Sequence, residues 1–311
     1  MKKGEKMIYR GFLGNKDSFL LATGLELKEI GKILNKAKNE KGIETELKKK
    51  GIKYLERYGT FNQYMELTAA EKLKEPIIVI LGALPCVGKT WIAKEINTAF
   101  SLGNILGGDS FRASLREFVD KEKNPAFFTS VYDSWKFFGV EPTKENIIMG
   151  FKKQAEIINQ AIERIIVDRG IRDGESMVVE YLHFLPSQYH KETLENISVI
   201  PIILYSENIE DHKRNIYART KYSHLKGGAQ RLIEQLDKYR IMQEYQLQEA
   251  REYNIPAVNT DDIVEANDKI IEIITERIKK LNKMEHKTEE SEMVKKIKEE
   301  RKNGKINVGE K

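Results

Sequence analysis

Short apolar runs alternate with amphipathic stretches over most of this chain. Five apolar runs, each bounded by polar or turn-forming residues, predict β-strands. Between the second and third runs, residues 147–170 place Phe151, Ala155 and Ile158 on one helical face, with Gly170 as the expected C-terminal stop. The first run opens the segment IIVILGALPCVGKT (77–90), and the others are ILGGD (105–109), SMVVEYL (176–182), ISVIPIILYS (197–206) and PAVNT (256–260).

The same pattern divides the chain into three zones. Residues 1–74 predict a short strand, MIYRGF, followed by helices; residues 75–282 alternate strands with helices; and residues 283–311 form a Lys/Glu-rich tail. Alternating strands and helices specify a parallel sheet that is covered on both faces. We therefore predict an α/β fold with a five-stranded parallel sheet, a small, mostly helical N-terminal domain and a mobile charged tail. The predicted N-terminal helices are DSFLLATGL, LKEIGKILNKAKNE, ETELKKKGIKYLERYGT and FNQYMELTAAEKL.

Composition narrows the class of protein. The 311 residues are 40% hydrophobic and 32% charged, and the net charge of +5 is spread over interleaved lysines and glutamates. Such a balance does not indicate a nucleic-acid partner. No apolar run approaches the roughly 20 residues that span a bilayer, and a single cysteine fits a reducing compartment. We expect a cytoplasmic protein without nucleic-acid or membrane partners, whose oligomeric state the sequence leaves open.

The first strand leads into a loop that ends Gly88-Lys89-Thr90, and a helical segment, WIAKEINTAF, follows. This strand–loop–helix order is typical of a phosphate-binding P-loop, whose backbone N–H groups and helix dipole attract anions. Lys89 is expected to reach the β- and γ-phosphates, and the Thr90 hydroxyl to bind Mg²⁺. The alternative is a chance Gly-Lys-Thr in a turn, and Ala83 does stand where the motif has its first glycine. The predicted nucleotide-binding residues are Cys86, Val87, Gly88, Lys89 and Thr90.

The second strand ends at Asp109, and a helix follows. A carboxylate beside a P-loop can hold Mg²⁺ or orient an attacking hydroxyl, although a helix N-cap is the alternative. Arg112 and Arg116 lie four residues apart on that helix, a spacing that suits a clamp for an anionic substrate. Ion pairs with Glu117 or Asp120 would be the structural alternative.

Three later strand ends carry further candidates. Glu180 closes the third strand and is typical of the second acidic element of P-loop enzymes. His183 is expected either to contact a substrate phosphate or to be a structural histidine. The basic segment 206–231 stands where small kinases have a lid, and Arg219 is our candidate for the cation that neutralises a transferring phosphoryl group. Asn259 is predicted to line an adenine pocket, unless its neighbouring aspartates only cap the last helix.

With these motifs in this order, the chain resembles the archaeal 2-phosphoglycerate kinases over most of residues 7–282. The resemblance implies a P-loop kinase-type sheet, and the N-terminal zone is similar to the ATP-cone-type module of that family. It rests on the segments GALPCVGKT, GGDSFRASLRE, FTSVYDSWKFFG, VVEYLHFLP, EDHKRNIYART and YRIMQEYQLQEAREYNIPAVNT.

The resemblance implies transfer of the ATP γ-phosphoryl group, with Mg²⁺, to the free hydroxyl of 2-phosphoglycerate. The product would be 2,3-bisphosphoglycerate, the precursor of cyclic 2,3-diphosphoglycerate. The substrate would be a phosphorylated hydroxy-acid that Arg112 and Arg116 help to bind. The resemblance also implies that Ser130, Tyr132 and Trp135 wall the acceptor pocket, with ordinary aromatic packing as the alternative.

This sequence departs from the family pattern at several positions. Cys86 and Ala83 stand where the family usually has glycine, and Asn215 stands where a basic residue is expected. Tyr181 replaces a glycine after Glu180, and we expect it to narrow the pocket.

Two other readings stay open. One is a nucleotide-sensing regulator without efficient transfer, and the other is a related P-loop kinase with a different anionic acceptor. A GTPase or a motor ATPase is disfavoured, because the sequence has no Asn-Lys-x-Asp segment and no four-residue apolar run ending in Asp-Glu.

Overall fold

A computed structural model describes residues 18–222 and 228–284 of the chain. Its centre is one five-stranded sheet in the order β2-β3-β1-β4-β5, and every neighbouring pair is parallel. All five predicted strands are present, so the predicted α/β fold is confirmed. The strands are β1 (Ile78–Ala83), β2 (Asn104–Gly107), β3 (Met177–Tyr181), β4 (Val199–Tyr205) and β5 (Ala257–Asn259).

Helices of very different length surround the sheet. The first described element is a 3₁₀ helix at Ser18–Thr23, and further 3₁₀ helices connect some of the later elements. Within the described residues, no helix is both long and apolar enough to cross a membrane. The α-helices are α1 (Leu27–Lys36), α2 (Glu40–Lys50), α3 (Ile52–Ala69), α4 (Lys89–Ala99), α5 (Gly108–Leu115), α6 (Lys144–Ile165), α7 (Lys191–Glu195), α8 (Ile209–Tyr222), α9 (Gly228–Glu234), α10 (Leu236–Glu252) and α11 (Ile263–Leu281).

The two faces of the sheet belong to different hydrophobic clusters. Alternate residues of β1 point in opposite directions, as the strand period requires. Val79 and Leu81 pack with α4, α11 and the N-terminal helices, whereas Ile78 and Ile80 pack with the apolar stripe of α6. All six residues of β1 are buried. Burial on both faces explains why the strand is continuously apolar instead of alternating.

The long helix α6 does not stop at the predicted residue. Wider π turns carry it on over Ile166–Arg172, and the chain leaves the helix at Gly174, whose φ of +78° is the left-handed value that glycine tolerates. Gly170 is needed for another reason, since a Cβ there would lie 2.6 Å from Cδ1 of Ile78. The glycine that we read as a stop is therefore a close-packing position against β1.

The N-terminal helices form part of the main core. Phe61 of α3 packs edge-on against Phe100, which follows α4, with 5.4 Å between the ring centroids. Gly51 separates α2 from α3, so the predicted helix ETELKKKGIKYLERYGT is divided there. Its second half and most of the predicted helix FNQYMELTAAEKL form the continuous helix α3. The predicted strand MIYRGF and nearly all of the predicted tail lie outside the described residues. The boundary between residues 1–74 and 75–282 remains a prediction.

Candidate active site

The loop between β1 and α4 has an unusual backbone. Cys86 has a φ of +66° and Gly88 a φ of +81°, both in the left-handed region. Such residues curl a chain so that successive N–H groups can face one anion. A Cβ on Gly88 would lie 2.6 Å from Cδ1 of Ile263, at the start of α11. The same geometry explains why a glycine is the usual residue at Cys86, because a side chain is strained at that φ.

Glu180 is the partner of the P-loop lysine. Parallel pairing sets Glu180 of β3 opposite Leu81 of β1, next to the loop. Its carboxylate forms an ion pair with Lys89 Nζ, and Thr90 Oγ1 donates a hydrogen bond to its Oε1 at 3.1 Å. Side-chain exposure is only 15% for Lys89 and 11% for Glu180. Glu180, the predicted second acidic element, therefore lies beside Lys89 and Thr90, and a role for it in substrate binding remains a prediction.

Asp109 lies in the first turn of α5, directly after β2. The N-cap of that helix is Gly107, and no side-chain capping bond is present, so the N-cap alternative for Asp109 does not apply. Among the described residues, no cation lies within ion-pair distance of its carboxylate. Asp109 therefore lines the cleft beside the P-loop with its acceptor oxygens available.

The two predicted clamp arginines both bind the backbone of the segment after α5. Arg112 donates to the carbonyls of Thr129 and Phe127, the latter at 3.0 Å, and Arg116 donates to the same two carbonyls at 3.3 Å each. The Arg112 guanidinium also lies 5.7 Å from the centroid of the Phe127 ring. In the part of the chain that the structure describes, neither arginine pairs with Glu117 or Asp120.

Arg112 is a partly buried cation that lacks a carboxylate partner among the described side chains. Burial, with a smaller contribution from the charge of Arg116, lowers the pKa of Arg112 to about 10, which still leaves it charged at neutral pH. Its Nε is buried and has no hydrogen-bond partner. Because a buried charge is costly without a counter-charge, Arg112 suits a bound anion.

Gln154 holds the segment that both arginines contact, and our sequence reasoning missed it. Its Nε2 donates to the carbonyls of Ala126 at 2.5 Å and Thr129 at 3.2 Å, and its Oε1 accepts from His183 Nε2 at 3.2 Å. Burial, and then the charges of Arg112 and Lys89, lower the pKa of His183 well below its ordinary value. A neutral His183 therefore orients Gln154. The available signal was a glutamine within the apolar stripe of α6.

These residues surround one cleft of about 960 Å³ at the carboxyl ends of the strands. Ligands of open α/β sheets bind at this edge. Arg116, His183 and Asn259 are predicted site residues that do not line the cleft. Arg231, the last residue of the predicted basic lid segment, does line it, and so does Tyr239, which was not predicted. The predicted residues that line it are Cys86, Val87, Gly88, Lys89, Thr90, Asp109, Arg112, Ser130, Tyr132, Glu180 and Arg219.

The basic helix α8 closes one side of the cleft. His212 Nε2 donates to the carbonyl of Pro85 at 2.8 Å, which ties this helix to the P-loop. Arg219 Nη1 lies 3.8 Å from Sγ of Cys86, so its guanidinium is over the same loop. Arg214 forms an ion pair with Asp211 at 2.6 Å. Residues 223–227 of the predicted lid segment lie outside the described residues.

The last loop is organised by its aspartates. Asp262 caps α11 by accepting from the N–H groups of Val264 and Glu265, so the predicted alternative of an aspartate cap is found. Asn259 Oδ1 accepts from Asp261 N at 3.0 Å, and its Nδ2 lies 3.4 Å from Oε2 of Glu207. The role of Asn259 at an adenine remains a prediction.

Tyr181 and Trp135 do not reach the cleft. The Tyr181 hydroxyl donates to Asn159 Oδ1 at 2.9 Å and lies 2.5 Å from the Tyr189 hydroxyl, in the cluster under α6. The expectation that Tyr181 narrows the pocket is wrong, because it points to the opposite face of β3 from Glu180. The Nζ of Lys238 lies 5.5 Å from the centroid of the Trp135 ring.

Comparison with known proteins gives a consistent picture. No protein-family model matches the chain. It is 31% identical over 210 residues to the 2-phosphoglycerate kinase of Methanopyrus kandleri, covering 68% of this chain and 64% of that protein. It is 30% identical over 217 residues to the 2-phosphoglycerate kinase of Methanocaldococcus jannaschii, covering 70% and 69%. It is 32% identical over 195 residues to the mevalonate-3-phosphate 5-kinase of Thermoplasma acidophilum, covering 63% and 94%.

Proposed function

This chain belongs to the family of archaeal 2-phosphoglycerate kinases, and from that premise we propose that it transfers the γ-phosphoryl group of ATP to the free hydroxyl of 2-phosphoglycerate. One observation carries the proposal. A P-loop with its lysine and a partly buried arginine without a carboxylate partner among the described residues line the same cleft. The first suits a triphosphate, and the second suits an acceptor that is itself anionic.

The reaction is an in-line displacement at the γ-phosphorus. The acceptor hydroxyl oxygen forms the new P–O bond, the bond to the β–γ bridging oxygen breaks, and ADP leaves with that electron pair. The hydroxyl proton must be removed, and we assign Asp109 to orienting this hydroxyl and accepting its proton. Lys89 and Arg219 are assigned to neutralising charge on the transferred group, because positioning and charge compensation supply most of the catalysis in such reactions.

The side chains at the P-loop also fit Mg²⁺. This ion prefers oxygen ligands and is usually bound by one or two carboxylates together with substrate phosphates. Among the described residues, no cluster of three or more His, Cys, Asp or Glu is present, so a site made of protein ligands alone is not expected there. The hydroxyl of Thr90 and the carboxylate of Asp109 would hold the ion, with Glu180 orienting Thr90. Bound Mg²⁺ would neutralise phosphoryl charge.

Acceptor-dependent turnover tests the proposal. The purified full chain is incubated with ATP, Mg²⁺ and 2-phosphoglycerate, and ADP and the phosphorylated product are measured by ³¹P NMR. We expect ADP formation that requires the acceptor and appears with equimolar 2,3-bisphosphoglycerate. ATP binding without acceptor-dependent ADP would instead support the nucleotide-sensing alternative.

A second acceptor belongs in the same assay. The Thermoplasma acidophilum relative is named a mevalonate-3-phosphate 5-kinase, and 94% of its length aligns with this chain. Both named acceptors combine a phosphate, a carboxylate and a free hydroxyl, so Arg112 suits either of them. A higher kcat/KM with mevalonate 3-phosphate would keep the kinase assignment and replace the acceptor.

A further inference from the structure

Tyr239 lines the cleft, and none of the roles described above accounts for its side chain. It lies on α10, and only 4% of the residue is exposed, yet it forms part of the cleft wall. Its ring packs edge-on against Tyr132 with 6.0 Å between centroids. Among the described residues, its hydroxyl makes no hydrogen bond. Because Tyr239 lines the cleft and its hydroxyl is not among the buried unpaired atoms, this group is available to a ligand.

The charges around Tyr239 suit an anion. Burial, followed by the nearby Tyr132, raises the pKa of Tyr239, and Arg231 opposes that rise. The phenol is therefore a neutral hydrogen-bond donor at physiological pH. Arg112 is close enough that Tyr239 also affects its pKa. One donor hydroxyl and two guanidinium groups thus line the same part of the cleft.

Helix α10 holds Tyr239 rigidly against the ends of two strands. Gln246 Nε2 donates to the carbonyls of Leu182 at 2.9 Å and Phe184 at 3.0 Å, just after β3. Gln243 both accepts from the N–H of Ser206 and donates to its carbonyl, at 3.1 Å and 2.9 Å, just after β4. A side chain supported in this way is preorganised, and preorganised donors discriminate most strongly between ligands.

We propose that Tyr239 is an acceptor-binding residue, whose hydroxyl donates a hydrogen bond to an anionic oxygen of the phosphorylated hydroxy-acid alongside Arg112 and Arg231. The inference rests on the proposed function. It adds a residue on α10 to an acceptor site that otherwise consists of α5 and the segment that follows it. The contact is made with the acceptor and not with ATP, so the two substrates respond differently to its loss.

The test removes only the hydroxyl. Tyr239→Phe keeps the ring against Tyr132, and Tyr245→Phe removes a hydroxyl from the same helix outside the cleft. We expect Tyr239→Phe to raise the acceptor KM roughly 10- to 100-fold, the range for a hydrogen bond to a charged group. Tyr239→Phe is expected to keep the wild-type KM for ATP and the wild-type Tm. Tyr245→Phe is expected to have the same kinetics as the wild-type chain.

The outcomes separate this inference from the proposed function. An active wild-type chain and a Tyr239→Phe variant with the same acceptor KM would overturn the inference alone. An equal rise in both KM values would also overturn it, since the hydroxyl would then serve the whole cleft. If the wild-type chain transfers phosphate to neither acceptor, the proposed function fails first. Calorimetric binding of inorganic phosphate then decides, and equal affinity of wild type and Tyr239→Phe would reject the contact.

Discussion

At the scale of single residues, the site is defined by side chains whose surroundings are unusual for their type. Cys86 has a positive φ, Arg112 is a partly buried cation without a carboxylate partner among the described residues, and Glu180 is a nearly buried carboxylate bound to a lysine. Each feature costs free energy in the protein alone. Such costs cluster at functional sites, where a ligand offsets them.

The strain at Cys86 can be measured as a reversal of the usual preference for alanine over glycine. Cys86→Gly is expected to be more stable than Cys86→Ala by about 1 kcal/mol, because only glycine adopts a φ of +66° without a penalty. Both variants lose the sulfur atom, so the comparison leaves only the Cβ and the backbone preference. At Glu272, which is exposed on α11, alanine should be the more stable by about 1 kcal/mol. Urea unfolding measures both differences, and the same sign at both positions would contradict the strain argument.

The ion pair between Lys89 and Glu180 predicts separate effects on stability and turnover. Lys89→Met leaves a nearly buried carboxylate without its cation, so we expect the unfolding free energy to fall by about 3 kcal/mol. Turnover is expected to fall roughly 100- to 1000-fold with the loss of the phosphate-binding charge.

The double variant Lys89→Met/Glu180→Gln separates the two effects, because it should regain most of the stability and none of the turnover. Lys94→Met, an exposed lysine on α4, is the matched control and should change neither quantity. Stability restored together with activity would remove Lys89 from the phosphate site.

At the scale of elements, the sequence predicts the strands well and their polar connections poorly. The apolar runs that become β1 to β5 are visible because a strand buried on both faces carries a local composition signal. The helix that follows β1 is equally visible from its periodicity. In contrast, the bond from Gln154 to His183 and the bond from Thr90 to Glu180 join residues far apart in the chain. No local pattern encodes such pairs, because the topology of the sheet brings them together.

Tyr181 and Gly170 show the same limit. Both were assigned a role from neighbouring residues in the sequence, but each role depends on which face of an element a residue occupies. Tyr181 points into the cluster under α6, and Gly170 allows π turns to pack against β1. A prediction from sequence alone places a residue on an element more reliably than it assigns the contact.

The segment that Gln154 holds is expected to fix the position of the Arg112 side chain. Gln154→Ala removes two hydrogen bonds to buried carbonyls, so we expect the unfolding free energy to fall by about 1 to 3 kcal/mol. The acceptor KM should rise about tenfold, because Arg112 binds the same segment. Gln160→Ala, an exposed glutamine on α6, should leave both quantities unchanged. Steady-state kinetics with acceptor and ATP varied separately measures the effect, and a rise confined to the ATP KM would contradict this role.

At the scale of the whole molecule, the N-terminal helices and the P-loop both contact the first part of α11. Arg57 of α3 donates to Oδ1 of Asp268 at 2.6 Å and, through Nη2, to the Asp268 carbonyl at 3.1 Å. At the start of the same helix, Ile263 lies against Gly88. One helix therefore fixes the position of the phosphate loop relative to the N-terminal zone.

The contact between Arg57 and Asp268 gives a prediction about how stability depends on pH. Burial raises the pKa of Asp268, but the hydrogen bonds from Arg57 and Lys53 outweigh it and the net pKa lies below the ordinary 3.8. A carboxyl with a lowered pKa stabilises the fold above its unfolded pKa and loses that contribution as the pH falls through the folded pKa. Asp268→Asn should therefore be less stable than wild type at pH 7, and the difference should shrink steadily below about pH 4.

Urea unfolding at several pH values between 7 and 3 measures this difference. A stability difference that stays constant with pH would show that Asp268 acts through packing instead of charge.

The edge-on contact between Phe61 and Phe100 has a practical consequence for anyone who shortens this protein. In the full chain Phe100 is only 2% exposed. A variant that starts at residue 75 would lack α3, so the Phe100 ring and the aliphatic side chains that α3 covers would face solvent. An exposed hydrophobic surface of that extent promotes aggregation in the expression host.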